Sequence, residues 1–190
     1  MSDTASPRTQ ALDCDRFVVI TGGPGAGKTT LIEQLRRRGF SSSDEAGRAI
    51  IKNQVLIEGR ALPWVDTDLF AEAILAWEIR SYRAAERDSA RVVFFDRGVP
   101  DVAGYLRLLG QPVPAHIDAA ARVFRYNQRV FIAPPWPAIY TPDEERKQTF
   151  DEATRTSEAM AAAYLDYGYD LVVLPMASVE DRVEFVLANR

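Results

Sequence analysis

The feature that most constrains this chain is a glycine-rich run that lies between an apolar segment and a helical one. Its residues are Gly22-Gly23-Pro24-Gly25-Ala26-Gly27-Lys28-Thr29. They match the pattern G-x-x-x-x-G-K-[ST] in full. Residues 16–21 before the run are mostly apolar and β-branched, as in a buried strand, and the residues after it carry apolar side chains at helical spacing. A strand, a glycine-rich turn and a helix in this order predict a phosphate-binding loop, or P-loop.

The chemistry of such a loop predicts a bound nucleotide with magnesium. Glycine lets the backbone turn tightly and aim several N–H groups at a phosphate chain, and the following helix adds its positive N-terminal end. Lys28 is expected to reach the β- and γ-phosphates, Thr29 to bind Mg²⁺ through its hydroxyl, and Thr30 to add a phosphate contact. The strand and helix around the run argue against the alternative of a glycine-rich turn with an unrelated lysine. The expected cofactors are ATP or GTP and Mg²⁺, and the sequence does not choose between the two bases.

Apolar runs alternate with helical patterns along the rest of the chain. Strands are predicted at 16–21, within 41–45, and at 91–96, 129–133 and 170–174. Helices are predicted from residue 28 to about 38, from about 45 to 57, over 67–87, from Pro100, over 115–125 and 142–167, and from residue 178. Strands that alternate with helices form a parallel sheet covered on both faces. We therefore expect an α/β chain with a three-layer P-loop NTPase fold, whose ligands bind beyond the carboxyl ends of the strands.

Length and charge limit the classes of protein to which this chain can belong. The 190 residues fit one domain, and a formal net charge of −4 argues against a general nucleic-acid binder. No apolar run approaches the ~20 residues that cross a bilayer. Residues 1–15 lack the apolar core of a signal peptide and are predicted to be a flexible leader to a single domain at 16–190. We expect a cytoplasmic protein without a membrane partner, and the sequence leaves a homodimer open.

Asp96 and Arg97 follow the strand predicted at 91–96. A carboxylate at the end of a neighbouring strand is placed to hold Mg²⁺, although Asp is also favoured in a turn before a glycine such as Gly98. The planar donors of Arg97 suit either a transferred phosphate or a structural ion pair. Many P-loop ATPases have Asp-Glu at this point, whereas Asp-Arg resembles the signature of nucleoside- and nucleotide-type kinases. The pair therefore favours phosphate transfer to an acceptor over transfer to water.

An acidic segment after the second predicted strand is the candidate acceptor site. A kinase that acts on a hydroxyl needs a carboxylate to orient it and take its proton. Glu45 is the preferred candidate, because Asp44 is the better helix N-cap, and Arg48 shares a helical face with both. We expect Asp44, Arg48 and Arg97 on the acceptor side. The alternative is that Asp44 caps the helix and Glu45 is only a first-turn charge that the helix dipole favours.

The highly charged segment 140–156 follows the fourth predicted strand. In small-molecule kinases such a segment closes cationic side chains over the phosphates as a lid. Arg146, Lys147 and Arg155 are the cations available, and Arg146 and Arg155 are the candidates to stabilise charge on the moving phosphoryl group. The alternative is an exposed helix with pairs such as Asp151 and Arg155.

Taken as an ordered set, these motifs resemble a family of small bacterial P-loop proteins described as predicted ATPases or kinases. Their nearest characterised relatives include the ribosylnicotinamide kinase domain of bifunctional NAD-biosynthesis proteins. The resemblance covers residues 16–190 and rests on residues 22–30, 44–48 and 95–98, Pro135-Trp136 with Ile139-Tyr140, and residues 145–150. It implies that residues 44–48 form the acceptor site and residues 140–156 the lid. The substrate signature of ribosylnicotinamide kinase is not among these motifs.

Two functions follow as hypotheses. The first is an ATP-dependent, magnesium-requiring phosphotransferase that acts on a small hydroxylated or phosphorylated acceptor, nucleoside- or sugar-like. Its catalytic residues would be Lys28, Glu45 and Asp96 with Arg146 or Arg155. The second is a nucleotide-binding switch that hydrolyses slowly and whose bound state is read by a partner protein.

Overall fold

Five parallel strands form one sheet in the order β2-β3-β1-β4-β5 in the computed structural model, which describes residues 14–140 and 149–190. The strands are β1 (Phe17–Gly22), β2 (Ser41–Ser42), β3 (Val93–Asp96), β4 (Arg129–Ala133) and β5 (Asp170–Val173). β1 lies in the middle and pairs with β3 and β4. Each strand lies at a position predicted from the sequence, and parallel pairing brings all five carboxyl ends to one edge.

Seven α-helices surround this sheet in the described ranges. They are α1 (Lys28–Arg37), α2 (Ala46–Leu56), α3 (Thr67–Arg87), α4 (Val99–Leu108), α5 (Ala115–Val123), α6 (Phe150–Asp166) and α7 (Val179–Asn189). A short 3₁₀ helix, Pro137–Ile139, follows β4. The bounds of α3 are those predicted, and Ser178 caps α7 as expected by accepting from the N–H of Asp181. None of the described helices is both long enough and apolar enough to cross a bilayer.

The two faces of the sheet are both covered by helices. Side chains of β1 alternate between the faces, and all six of its residues are buried. Phe17 and Val19 pack with α3, α4, α5 and α6, whereas Val18 and Ile20 pack with α1 and α7. A strand that is covered on both sides needs apolar residues at every position, which explains the unbroken apolar run. The three-layer α/β P-loop fold expected from the sequence is thus confirmed.

The start of α2 differs from the sequence-based alternative, in which Asp44 was the N-cap. That prediction is wrong, because Glu45 is the N-cap residue and its side chain makes no capping hydrogen bond. The carboxylate of Asp44 instead forms an ion pair with Arg36, one residue before the end of α1. A charge-assisted bond to a guanidinium is stronger than a bond to a neutral backbone N–H, so Asp44 pairs with Arg36 instead of capping the helix.

Two parts of the sequence predictions lie outside the described residues. They are residues 1–13 of the predicted leader and residues 141–148 of the predicted lid, the latter with Arg146 and Lys147. The helix predicted over 142–167 is described from Phe150, after the N-cap Thr149.

Candidate active site

The loop after β1 has the geometry that its glycines predict. Gly27 ends the loop with a left-handed backbone, φ 75°, and a Cβ there would lie 2.7 Å from the guanidinium of Arg182. A Cβ on Gly23 would lie 2.3 Å from the carbonyl oxygen of Ala153 in α6. The backbone contact excludes a side chain at Gly23, and the left-handed backbone favours glycine at Gly27. The loop is held between β1, α6 and α7.

Lys28 is folded back onto the loop. Its side chain is 7% exposed, and Nζ donates to the carbonyl oxygens of Gly22 at 3.0 Å and Gly23 at 2.6 Å. Thr29 and Thr30, which follow in the first turn of α1, are exposed. The ammonium group is therefore held against the backbone of the loop.

A cleft of about 570 Å³ opens above the loop. This volume is within the range of small-molecule sites. Its lining residues are Pro24, Gly25, Ala26, Gly27, Lys28, Thr29, Thr30, Glu45, Arg48, Trp136, Ile139, Ala177, Ser178, Val179 and Arg182. The loop thus forms one wall, and the segments after β4 and β5 form the opposite wall. Trp136, one of the residues on which the family resemblance rests, lies in this cleft.

A second cleft of about 290 Å³ adjoins the first. Its lining residues are Thr29, Ile32, Arg36, Ser43, Asp44, Glu45, Arg48, Ala49, Lys52, Trp77 and Asp96. Thr29, Glu45 and Arg48 line both clefts. The two clefts therefore meet at a hydroxyl, a carboxylate and a guanidinium.

Asp96 lies on the second cleft at the end of β3. It is 4% exposed, and its Oδ1 has no hydrogen-bond partner in the described ranges. Its backbone N–H donates to the Ser43 hydroxyl at 3.1 Å. Burial raises the pKa of Asp96 to about 6, against the lowering effect of the Lys28 ammonium. A buried carboxylate oxygen without a partner is costly, so this atom is suited to a cation that is brought in by a ligand.

The donor set around Asp96 fits magnesium. Thr29 offers a hydroxyl and Asp96 a carboxylate on the same cleft, and Mg²⁺ prefers such hard oxygen ligands. No group of three or more His, Cys, Asp or Glu that could hold a metal by itself occurs in the part of the chain that the structure describes. Proteins usually bind Mg²⁺ through one or two carboxylates plus the phosphates of a substrate. These residues fit a magnesium ion that arrives with a nucleotide.

Glu45 lies between two guanidinium groups. Its carboxylate is 3.8 Å from Nε of Arg48 and 3.8 Å from Nε of Arg97, and its side chain is 12% exposed. Arg97 also donates to Asp101 Oδ1 at 3.0 Å, from a left-handed backbone with φ 75°. Burial alone would lower the pKa of Arg97, but the Asp101, Glu45 and Asp96 carboxylates raise it. Arg97 therefore links Glu45 to Asp101. It lines neither cleft.

The remaining predicted residues are placed as follows. Asp44 and Arg48 line the second cleft with Glu45. Arg155 lies on the exposed face of α6 and lines neither cleft. Arg146 lies outside the described residues. The rings of Tyr140 and Phe150, which flank residues 141–148, contact each other at 5.4 Å, and a Cβ on Gly25 would lie 2.6 Å from Tyr140. Tyr140 thus lies beside the loop, and Phe150 packs against Tyr140.

Sequence reasoning missed Arg182. This residue is 4% exposed, and both of its terminal nitrogens donate to the carbonyl oxygen of Ala26 at 3.1 Å. It falls on the apolar stripe of α7 that includes Val179, Val183 and Val186. A single positive charge within such a stripe is a signal that could have identified it.

The fold and the loop define a P-loop protein of the kinase-like α/β class. Residues 17–182 match the model of the AAA_28 family, an AAA domain. Because the match covers most of the chain, the chain belongs to this family. The resemblance to predicted P-loop ATPases and kinases is confirmed at this level.

Solved structures support the same fold. The NadR protein in complex with NR aligns with a TM-score of 0.65 and 16% identity, over 92% of this chain and 50% of that one. A deoxyadenosine kinase from M. mycoides aligns with a TM-score of 0.62 and 13% identity, over 90% and 97%. Thymidylate kinase from Ehrlichia chaffeensis aligns with a TM-score of 0.61 and 14% identity, over 90% of this chain and 96% of that one. The chain spans about half the length of the NadR chain that it matches. A search of the curated proteins found no match.

Proposed function

We propose that this protein is an ATP- or GTP-dependent, magnesium-requiring phosphotransferase that acts on a small nucleoside- or sugar-like acceptor. One observation carries the proposal: the cleft above the P-loop and the second cleft meet at Thr29, Glu45 and Arg48. A phosphoryl group bound by the loop would therefore face a second site that contains a carboxylate. The structural similarity to kinases supports this assignment.

The nucleotide half of the site uses the loop. The backbone N–H groups of residues 22–27 and the N-terminus of α1 would surround the phosphates, and Lys28 would leave the Gly22 and Gly23 carbonyls to reach them. Thr29 and Asp96 would hold the magnesium ion, which neutralises phosphate charge when bound. Trp136 and Ser178 lie across the cleft, where the base and ribose would contact the protein.

The acceptor half uses the second cleft. Glu45 would orient the acceptor hydroxyl and take its proton while the hydroxyl oxygen forms a bond to the γ-phosphorus and the nucleoside diphosphate leaves. Arg48 and Arg97 keep this carboxylate in place, and Arg48 lies where the phosphoryl group would pass. Trp77 gives the cleft a flat apolar wall against which the ring of an acceptor can pack.

The lid remains part of the proposal. Residues 141–148 connect Tyr140, which lies beside Gly25, to Thr149 at the start of α6, and as a lid they would cover the phosphates. Arg146 or Arg155 would then stabilise charge on the phosphoryl group. Because Arg155 is exposed in this state, its contribution requires such closure.

The test is nucleoside diphosphate formation across a panel of nucleosides, nucleoside monophosphates and sugars, with and without Mg²⁺. We expect turnover that depends on one class of acceptor. Glu45→Gln should retain nucleotide affinity and lose transfer by on the order of 10²- to 10⁴-fold, since it removes the proton acceptor. Glu86→Gln, at the far end of α3, is the matched control and should transfer normally.

The outcomes separate the two hypotheses of function. Slow hydrolysis that is the same with every compound would overturn the kinase proposal and support a nucleotide-dependent switch. Normal transfer by Glu45→Gln would leave the kinase proposal standing but remove Glu45 as its base.

A further inference from the structure

Arg182 is a buried cation without a carboxylate partner. Its side chain is 4% exposed on α7, and no ion pair to a carboxylate is found for it within residues 14–140 and 149–190. Its Nε also has no hydrogen-bond partner in those ranges, and burial lowers its pKa. An uncompensated buried charge disfavours folding. The fold therefore keeps a cation at a place where none of the described carboxylates neutralises its charge.

The bonds that Arg182 does make are to the P-loop. Nη1 and Nη2 both donate to the carbonyl oxygen of Ala26 at 3.1 Å. Because a trans peptide unit is planar, its C=O and N–H point in opposite directions, and fixing the Ala26 carbonyl also fixes the N–H of Gly27 pointing away from Arg182. The guanidinium lies directly against Gly27, where a Cβ would come within 2.7 Å of it. Arg182 thus sets the orientation of one of the peptide groups that would receive phosphate.

Simple packing does not account for an arginine here. Val183 and Val186 on the same face of α7 are fully buried in the core between α1, α7 and the sheet. A neutral side chain of similar length would complete that apolar stripe, and replacing buried ions in this way is often neutral or stabilising. The contact with Ala26 and the position on the cleft remain as the reasons for the charge.

We propose that Arg182 is a positioning residue of the phosphate site, which holds the Ala26–Gly27 peptide in its binding orientation and supplies a counter-charge to the phosphates of the nucleotide. The proposal rests on the nucleotide use argued above but not on the transfer step. It assigns to α7, the last of the described helices, a role in phosphate binding that does not depend on the base.

The experiment compares Arg182→Gln and Arg182→Lys with the wild type in calorimetric binding of Mg·ATP and of magnesium tripolyphosphate, which has phosphates but no base. Arg182→Gln should bind both ligands more weakly by a similar factor, on the order of 10- to 100-fold, because a charge-assisted pair of bonds is lost. Arg182→Lys keeps the charge but not the paired bonds and should be intermediate.

The melting temperature of the nucleotide-free protein shows whether each variant is folded under the conditions of the binding measurement. Arg182→Gln loses two hydrogen bonds to Ala26 and also removes a buried charge, and because these changes act in opposite directions that temperature should change little. Arg38→Gln is the matched control, since Arg38 joins α1 to Glu184 of α7 without touching the loop. It should bind both ligands like the wild type.

Three results would overturn the proposal. The first is wild-type affinity of Arg182→Gln for tripolyphosphate. The second is a loss confined to Mg·ATP, which would make Arg182 a reader of the base or ribose. The third applies where Arg182→Gln does not fold: Arg182→Lys would then decide, and wild-type binding of tripolyphosphate by that variant would contradict the proposal. Absence of transfer to every acceptor would refute the kinase function alone, because these measurements need no acceptor.

Discussion

Glu78 is a carboxyl group that the described structure leaves without partners. It lies on α3, 1% exposed, and neither of its oxygens has a hydrogen-bond partner in the described ranges. Burial raises its pKa well above 4.5, the Asp101, Asp96 and Glu45 carboxylates add to the rise, and Arg97 opposes it. An isolated buried carboxylate is so unfavourable that the group keeps its proton instead. Glu78 is therefore a neutral acid next to Trp77, which lines the second cleft.

This proton makes stability depend on pH with a definite sign. Above pH 4.5 the unfolded chain loses the Glu78 proton while the folded protein keeps it. The free energy of unfolding therefore falls as the pH rises, by up to about 1.4 kcal/mol per pH unit until the folded pKa is reached. Glu78→Gln has the same shape and cannot ionise. We expect it to match the wild type near pH 5 and to be increasingly more stable towards pH 8, as measured by urea unfolding.

The control for this prediction is Glu158→Gln, the same change on the exposed face of α6. Its difference from the wild type should stay small at every pH, because solvent screens an exposed charge. If the unfolding free energies of Glu78→Gln and the wild type run parallel from pH 5 to pH 8, Glu78 does not carry the proton assigned to it.

Several elements are joined through the single carboxylate of Asp101, in α4. It accepts hydrogen bonds from Thr21 of β1 at 2.5 Å and from Tyr164 of α6 at 2.6 Å. It also accepts from the N–H of Gly98 at 2.9 Å and from Arg97 at 3.0 Å. Arg97 in turn faces Glu45. Strand β1, helix α6 and the arginine that faces Glu45 therefore share one buried carboxyl group.

Tyr164→Phe tests how much this junction contributes. The change removes one donor to a buried carboxylate and nothing else, so it should lower the free energy of unfolding by about 1.5–3 kcal/mol. Tyr167→Phe is the matched control, because Tyr167 donates at 3.1 Å to Asp118, whose side chain is 41% exposed. That loss should be below about 1 kcal/mol. Equal losses in urea unfolding at pH 7 would show that burial of Asp101 adds nothing to the bond.

At the scale of elements, periodicity in the sequence predicts the fold well. Helix α3 spans Thr67–Arg87 as predicted, because its apolar residues recur at helical spacing over the whole length. The start of α6 was predicted less well, although Thr149 and Glu152 form a capping box that the sequence displays. Apolar periodicity thus predicts that a helix is present, and the capping residues are needed to predict where it begins.

The sequence predicts that candidate site residues lie together where the topology of the sheet alone is enough to bring them together. The P-loop, Glu45 and Asp96 meet because the carboxyl ends of parallel strands share one edge. The partners of Asp44 and Arg182 were not predictable in this way. Asp44 bonds to Arg36 and Arg182 to Ala26 across 156 positions, and such pairs depend on how helices pack after the sheet has formed.

In the molecule as a whole, the cleft above the P-loop is built from segments near both ends of the described chain. Residues 24–30 form one wall, and residues 177–179 with Arg182 contribute to the other. The α1 and α7 helices that carry these walls share one hydrophobic core with the sheet. A ligand that fills the cleft should therefore stabilise the whole fold, since it binds only where these distant segments are assembled.

This linkage gives a prediction for the entire protein. Mg·ATP at 100 times its dissociation constant should add about 2.7 kcal/mol to the free energy of unfolding, or roughly 5–11 °C in melting temperature for a chain of this size. Lys28→Ala should lose most of that shift, because it removes the cation that would reach the phosphates. The shift is the quantity to compare, since Lys28 also bonds to Gly22 and Gly23 in the nucleotide-free state and its loss alters the starting temperature. Lys52→Ala changes a lysine that lines the second cleft and not the first, and it should keep the full shift. An undiminished shift in Lys28→Ala would mean that the nucleotide does not bind at this loop.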